Sequence, residues 1–275
     1  ADLLWIGKAI TAVADAFSVT HSKGNVFLDH LPDHVMDILR PSLIPVALDN
    51  AEIVYDYDES MEKVLFPTGS VISVLLEMSD GRTAEVGIIG REGMTGLAIV
   101  LGQSSTNQRS IVQIPNGALS MSSATFRAVV EAEAQLKAFS LRYAQAVLMG
   151  ALQLSACNSL HPTDERCARW LLMAHDRVGD NRLRLTQEFL SQMLGVRRAS
   201  VAVAASALQA AGFISYSRGQ IVVRNRAGLE TASCECYETM EREWKELMGY
   251  GIRYAPPRAP SDSIEPSYTD GIAGV

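Results

Sequence analysis

The chain has 275 residues, of which 48% are hydrophobic and 20% charged, so it is long enough for two packed domains. Its net charge of −7 argues against nucleic acid as a partner unless basic residues are concentrated in one segment. No apolar run approaches the ~20 residues that cross a bilayer, and the first residues lack the basic segment of a signal peptide.

Residues 1–24 form the first predicted element, an amphipathic N-terminal helical extension. Its apolar residues recur at three- and four-residue spacing, at Leu3, Ile6, Ile10, Val13 and Phe17. We expect this helix to pack on its own domain or on a second copy of the chain. A role at a membrane surface is the weaker alternative, because Lys8 is the only basic residue before His21.

Residues 25–133 change to short β-rich runs separated by turn residues, after a predicted helix at Pro32–Leu39. The candidate strands are Ile53–Tyr57, Lys63–Phe66, Val71–Met78, Glu85–Ile88 and Ile111–Ile114. Asp80-Gly81 is a hairpin signal between two of them, whereas Pro115-Asn116-Gly117 indicates a turn. Several short strands at this spacing predict a sandwich or barrel such as a jelly roll.

A short helix at Ser123–Glu131 is followed by a long one that occupies residues 134–160. One apolar stripe contains Leu136, Phe139, Tyr143, Ala146, Met149, Gly150 and Gln153, and others contain Leu141, Ala144, Leu148, Ala151 and Leu152. A helix that is apolar on most faces must be covered on most faces. We therefore expect one side to pack on the barrel and the other on the same helix of a second chain. The small residues Ala144, Ala146, Gly150 and Ala151 would permit close approach of the two axes, and a helix buried within one chain is the alternative.

The C-terminal domain is predicted over residues 161–250, because His161-Pro162 ends the long helix and a new helix follows over 163–178. Basic residues are concentrated here: Arg182, Arg184, Arg197, Arg198, Arg218, Arg224 and Arg226. Glu188 is the one acid between residues 181 and 226, so this segment carries +6 and leaves −13 for the remainder. Such a layout suits a DNA-binding protein, although a solvated basic face would have the same charge. Residues 251–275 are rich in Pro, Ser and Gly and are predicted to be disordered.

The segment from Thr186 to Gly212 has the pattern of a helix-turn-helix. Thr186 is a suitable N-cap, and Gly195 can adopt the positive φ of a tight turn. A second helix begins near Arg197 and ends at Gly212. In this geometry the second helix projects its N-terminal side chains into a major groove while the first crosses the DNA backbone.

Two further strands follow, Phe213–Tyr216 and Gln220–Val223. They form a predicted hairpin, or wing, that would place Arg218 near phosphate or in a minor groove. A helix-turn-helix pattern alone is a moderate signal, but the wing and the arginines strengthen it. Together these features predict a protein that reads DNA through its second helix.

The segment from Leu185 to Gln220 resembles the winged helix of the CRP/FNR superfamily of bacterial transcription regulators. The resemblance extends upstream to Phe27–Pro32, Val64–Pro67 and Val86–Leu97. It implies an α+β architecture with a cyclic-nucleotide-binding-like jelly roll over 25–133, a dimerisation helix over 134–160 and a winged helix-turn-helix over 161–250. It also implies a homodimer on an inverted repeat of double-stranded DNA, with RNA polymerase as a further partner.

The family's recognition helix commonly starts Ser-Arg-Glu-Thr-Val, and the matching residues are Arg197, Arg198, Ala199, Ser200 and Val201, with Ala199 in place of the glutamate. The resemblance implies that Arg198 reads a guanine and that Ser200 contacts a phosphate. We expect Arg197 to hold a phosphate rather than read a base. Thr186 and Gln187 match positions near the DNA backbone and are expected phosphate contacts. The half-site should differ from those common in the family.

The effector domain departs from the cyclic-AMP-binding members of the family. Gly96-Leu97-Ala98 stands where those members have a Gly-Glu-Leu segment, and Arg109-Ser110 only partly matches their phosphate-binding pair. We therefore expect a pocket lined by Gly96, Leu97, Arg109, Ser110 and Tyr143 that does not hold cyclic AMP. The pocket would then hold an unknown small molecule, or the protein would act without an effector. The alternative function for the chain is a small-molecule or cyclic-nucleotide sensor whose DNA binding depends strictly on the effector or has been lost.

No metal or cofactor is expected from the sequence. The four cysteines, at 157, 167, 234 and 236, all lie in the C-terminal half of the chain. Their positions argue against an N-terminal iron–sulfur site. They also form no secretory disulfide framework, which favours a protein of the reducing cytoplasm. Cys234-Glu235-Cys236 is a weak metal signal without two further ligands, so buried structural cysteines are the expectation, with a single-cysteine redox switch left open. No catalytic motif contains the polar groups of His161, Asp164, Glu165 and His175, so we do not expect the protein to be an enzyme.

Overall fold

The computed structural model describes residues 24–217 and 219–253. The expected N-terminal helix therefore lies outside the described residues, apart from Gly24. The same holds for Arg218 in the wing and for residues 254–275 of the tail.

Two antiparallel sheets build the N-terminal domain. The elements are α1 (Val26–Asp29), α2 (Asp33–Leu39), β1 (Ile44–Leu48), β2 (Ile53–Tyr55), β3 (Lys63–Pro67), β4 (Val71–Glu77), β5 (Thr83–Ile89), α3 (Leu97–Val100), β6 (Arg109–Ile114), β7 (Asn116–Ser122) and α4 (Ser123–Ala132). One sheet has the order β1-β7-β3 and the other β2-β6-β4-β5. Gly81, with φ of 80°, lies in the predicted hairpin between β4 and β5. The predicted β-rich N-terminal fold is confirmed.

Two strands of the N-terminal domain were not predicted from the sequence, and β1 is the first. In β1 most residues are exposed or half-buried, so it lacks the apolar alternation of a strand that covers a core. The second is β7. The sequence predicts a turn over Pro115-Asn116-Gly117, but that prediction is too long, since β7 already begins at Asn116. Pro115 alone separates β6 from β7, and these two strands belong to different sheets, so the chain turns a corner there.

Buried polar contacts attach the first helix to the sheets. The Asn25 carboxamide caps α1 by accepting from the N–H of Leu28, and its amide donates to the carbonyls of Pro67 and Gly93, each at 2.9 Å. The two bonds that the amide donates are buried and hold α1 against β3 and the loop that follows β5.

The long helix α5 (Ala134–Leu160) follows α4 directly. Its buried face carries Leu136, Phe139, Tyr143 and Ala146, all in the core of the N-terminal domain. Tyr143 is fully satisfied, because its hydroxyl accepts from the N–H of Met94 at 3.1 Å and donates to the same residue's carbonyl at 2.8 Å. The expected packing of one side of this helix on the β domain is what the structure has.

The C-terminal domain is a winged helix-turn-helix, as predicted. Its elements are α6 (Thr163–Val178), β8 (Arg182–Arg184), α7 (Gln187–Leu194), α8 (Arg198–Ala210), β9 (Ile214–Ser217), β10 (Gln220–Val223), α9 (Arg226–Ala232) and α10 (Cys236–Met248). The wing strands pair with β8 in an antiparallel sheet of order β8-β10-β9. Strand β8 was not predicted from the sequence, because its three residues are too few to show an alternating pattern. Among the described residues, no helix combines the length and apolarity that crossing a bilayer requires.

The two domains share a buried interface along α6. Val71, Leu75 and Ile88 of the four-stranded sheet belong to the same apolar cluster as Trp170 and Leu172 of α6. Two polar contacts cross this interface: Trp170 Nε1 donates to Glu85 Oε1 at 2.8 Å, and Arg177 Nε donates to Glu92 Oε1 at 2.8 Å. The winged domain is therefore docked on the β domain of its own chain.

Candidate nucleic-acid interface

The first helix of the motif, α7, begins and ends where its sequence directs. Thr186 Oγ1 accepts from the N–H of Phe189 at 3.1 Å, which is the predicted N-cap. Gly195 ends the helix with φ of 63°, a left-handed conformation that glycine adopts without steric cost. Arg166 of α6 donates to the carbonyl of Leu194, so the turn is tied to the helix beneath it.

The second helix, α8, has a buried and an exposed face. The buried face consists of Val201, Ala204, Ala205 and Leu208. The first turn carries the predicted DNA-binding residues Arg197, Arg198 and Ser200, and all three are exposed. The fold thus gathers three predicted contacts at the N-terminal end of one helix, where positive helix-dipole charge adds to that of the arginines.

Arg198 is held only loosely in the free protein. Its Nη1 lies 3.9 Å from Glu188 Oε2, and both side chains are about two-thirds exposed, at 67% and 63%. An exposed pair of this kind contributes little to stability, so Arg198 can exchange its partner for a ligand.

Thr186 and Gln187 lie together at the start of α7. Thr186 is exposed and its oxygen is used by the cap, which leaves its hydroxyl proton available to a phosphate. The N–H of Gln187 donates to the Tyr216 hydroxyl at 3.2 Å, a contact that joins α7 to the wing strand β9. The structure therefore brings these two residues to the same helix end, next to the wing.

The arginines of the basic segment differ in exposure. Arg182 and Arg184 on β8 are exposed on either side of the buried Leu183, as strand alternation requires. Arg226 is different, because it pairs with Asp176 at 2.7 Å and with Glu230 at 3.0 Å. Burial disfavours its charge, but the hydrogen bond to Asp176 and that residue's charge raise the pKa of Arg226 overall. Counting Arg226 toward a DNA-binding face was thus an overestimate.

The predicted effector residues lie on three elements of the structure. Gly96, with φ of 75°, precedes α3, of which Leu97 is the first residue. Arg109 and Ser110 begin β6, and Tyr143 lies on α5 with its hydroxyl bound to the Met94 backbone.

Arg109 is already paired. Its Nε donates to Asp56 Oδ1 at 2.8 Å, and its guanidinium lies over the Tyr57 ring at 5.0 Å from the centroid. The hydrogen bond from Arg109 lowers the pKa of Asp56 and keeps that carboxylate charged. Arg109 therefore already has a carboxylate partner, with which a phosphate would have to compete.

A cavity of about 80 Å³ lies between β5, α5, α6 and α10. Its lining includes Tyr143 and Trp244, with Val86 of β5 and Arg177 of α6, but it includes none of the other four predicted effector residues. This cavity has room for a few water molecules. The five predicted residues therefore do not converge on it.

A cluster of potential metal ligands was missed in the sequence. Cys157 and His161, at the end of α5, lie beside Cys234 and Cys236, and the four ligand atoms are all within 4.8 Å of one another. The Cys-x-Cys pair has no further ligands near it in the sequence, and the fold supplies two. The four-residue spacing of Cys157 and His161 on one helix face was the signal that could have found them.

The winged domain matches a known family in sequence. Residues 165–232 match the family described as the Crp-like helix-turn-helix domain. No curated protein sequence matches the chain.

Solved structures match more of the chain. A protein assigned to the Crp/Fnr family of transcriptional regulators from Eubacterium rectale is 16% identical, with a TM-score of 0.58 over 74% of this chain and 94% of its own. FixK2 from Bradyrhizobium japonicum is 20% identical, with a TM-score of 0.54 over 70% of this chain and 98% of its own. The c-di-GMP-responsive global regulator CLP of Xanthomonas campestris is 14% identical, with a TM-score of 0.53 over 70% and 99%. The chain thus carries a Crp-like helix-turn-helix domain and has the fold of the CRP/FNR-family transcription regulators.

Proposed function

We propose that the chain is a sequence-specific DNA-binding transcription regulator that inserts α8 into the major groove. The observation that carries this proposal is the exposed first turn of α8, with Arg197, Arg198 and Ser200, inside a segment that matches the Crp-like helix-turn-helix domain. Arg198 has the planar donor pair that suits a guanine edge. Because its exposed contact to Glu188 is weak, little has to be given up when it binds a base.

The contacts to phosphate surround this reading helix. Arg197 and Ser200 flank Arg198, and Thr186 and Gln187 stand at the start of α7 near the wing. Contacts of this type position a protein on the duplex without specifying sequence, and they make its affinity depend on salt. Arg218 of the wing completes the proposed set.

We further propose that the chain acts as a homodimer through the outer face of α5. Leu141, Leu148 and Leu152 are 44%, 59% and 58% exposed, and their spacing of seven and four residues is that of a coiled-coil seam. Of the small residues expected to line this seam, Ala146 is buried in its own domain and is unavailable. Two copies joined in this way would place two α8 helices about 34 Å apart and bind an inverted repeat.

A second candidate function is that of a sensor whose DNA binding depends strictly on an effector. The docking of α6 on the β domain favours it, because the buried Arg177–Glu92 pair and the Trp170–Glu85 bond would couple the position of the winged domain to the effector domain. Arg109 is paired with Asp56, so we do not assign it a role in holding the phosphate of an effector.

Selection of bound sequences from random duplex DNA by the purified full chain tests the proposed function. We expect enrichment of an inverted repeat whose half-sites are about one helical turn apart. Repeating the selection with a panel of nucleotides and metabolites separates the two candidates, since enrichment that requires an added compound supports the sensor. Failure under every condition would refute both.

A further inference from the structure

We propose that Cys157, His161, Cys234 and Cys236 form a zinc site that joins the end of the long helix α5 to the segment between α9 and α10. Three of these side chains are buried, and the His161 side chain is 18% exposed. The site lies outside the DNA-reading surface and does not depend on the function proposed for that surface.

The distances suit a single metal ion. Cys157 Sγ lies 3.5 Å from Cys234 Sγ, and Cys236 Sγ lies 3.5 Å from His161 Nδ1. With Zn–S bonds of about 2.3 Å and Zn–N bonds of about 2.0 Å, the edges of a tetrahedral site measure roughly 3.5–3.8 Å. Two observed separations thus already have about the required length, and the others, all within 4.8 Å, need side-chain shifts of about 1 Å or less.

The ligand set selects the metal. Three thiolates and an imidazole are soft to borderline ligands, and a tetrahedral set of sulfur and nitrogen favours Zn²⁺ over the hard cations that prefer oxygen. An iron–sulfur cluster is less suitable, because its four protein ligands are divided between two or four irons and would stand further apart. The described ligand atoms converge on one point.

Neighbouring side chains complete the environment of the ligands. His161 Nε2 lies 3.2 Å from Glu235 Oε2, so the ring can donate its outer N–H to this carboxylate while Nδ1 faces the sulfurs. Gln153 Nε2 donates to Cys236 Sγ at 3.0 Å. Histidine ligands of zinc are oriented by outer contacts of this type, and hydrogen bonds to sulfur stabilise its negative charge.

Zinc binds cysteine as the thiolate, so metal binding at this cluster would release the protons that the thiols carry.

A Cys157–Cys234 disulfide is the competing assignment for this cluster. It would use two of the four groups and leave Cys236 and His161 without a function, whereas a metal uses all four. The metal would also connect positions 77 residues apart, across the His161-Pro162 break between α5 and α6. Zinc would thus help to hold the last two helices of the winged domain on the end of α5.

Metal content of the full chain tests the proposal directly. The protein is purified under reducing conditions with Zn²⁺ and without chelators, dialysed, and analysed for metal by mass spectrometry. We expect about one zinc per chain in the parent and loss of that zinc in Cys234→Ser and in His161→Ala. Cys167→Ala is the matched control, because Cys167 is buried on α6 outside the cluster, and it should retain the metal.

A second readout guards against variants that fail to fold. The parent loaded with Co²⁺ should show the absorption of a tetrahedral thiolate-bound ion, and Cys236→Ser should weaken it while keeping the far-ultraviolet circular dichroism of the parent. The proposal is overturned if the parent holds no more zinc than Cys234→Ser, if bound Co²⁺ shows an octahedral spectrum, or if peptide mapping of the reduced, zinc-supplied protein finds a Cys157–Cys234 disulfide.

Discussion

Glu85 is a buried carboxyl at the interface between the two domains, and replacing it with glutamine should make the protein more stable above neutral pH. Its Oε1 accepts from Trp170 Nε1 at 2.8 Å, and its Oε2 lies 2.6 Å from Ser73 Oγ. Burial raises the pKa of Glu85 from 4.5 to about 7, although the hydrogen bonds from Ser73 and Trp170 and the nearby arginines of α6 act in the opposite direction. The folded protein therefore binds this proton more tightly than the unfolded chain does.

The sign and size of the effect follow from this difference. A carboxyl with a raised pKa contributes its stability fully below pH 4.5 and loses it as the pH rises through 7. At about 1.4 kcal/mol per pKa unit, the loss amounts to about 3 kcal/mol above pH 7. A glutamine side chain at this position cannot ionise, and its amide can donate to Ser73 while its carbonyl accepts from Trp170. We expect Glu85→Gln to match the parent near pH 4.5 and to exceed it by up to about 3 kcal/mol at pH 8.

Urea unfolding at a series of pH values between 4.5 and 8 measures this difference. Glu131→Gln, at an exposed position on α4, makes the same chemical change without burial and serves as the control. A stability difference between Glu85→Gln and the parent that stays constant with pH would refute the reasoning, as would a variant less stable than the parent at pH 8.

Three further changes have defined outcomes. Thr186→Ala should lower the free energy of unfolding by about 1 kcal/mol, because the N–H of Phe189 loses its hydrogen-bond acceptor. Thr186→Ser keeps that acceptor and should have the stability of the parent in the same unfolding experiments. Arg177→Met should lower the free energy of unfolding by about 3–5 kcal/mol, because the buried charge of Glu92 loses its cationic partner. Adding Glu92→Gln should recover most of this loss. Equal stability of the single and double variants would contradict the reasoning. Leu148→Glu should weaken self-association by at least about tenfold in sedimentation experiments, and an unchanged dimer would exclude this face of α5.

The winged helix could be predicted from the sequence because its signals are local. Thr186 caps α7, Gly195 makes the turn, and Gly212, with φ of 76°, follows α8. One or two residues thus determine where each helix begins or ends. The long helix was equally clear from its length and apolar pattern. Strands β1 and β8 were not, because one is mostly exposed and the other is only three residues long.

The candidate sites were harder to predict where they depend on distant residues. The sequence does not show that Cys157 meets Cys234, or that Arg226 is neutralised by Asp176 rather than exposed to solvent. It also does not show that Asp56 occupies Arg109. Such pairings arise from the packing of the domains, and no periodicity within one element encodes them.

The most direct test of the account compares the sequence preferences of the parent and of Arg198→Ala, each determined by selection from random duplex DNA. Arg242→Ala, which removes an exposed arginine on α10, is the matched control for loss of one positive charge. We expect Arg198→Ala to lose about 1–3 kcal/mol of binding free energy and to become indifferent at one base pair in each half-site, while Arg242→Ala keeps the parent's preference. Identical affinity and sequence preference of Arg198→Ala and the parent would contradict the claim that α8 reads DNA through this residue.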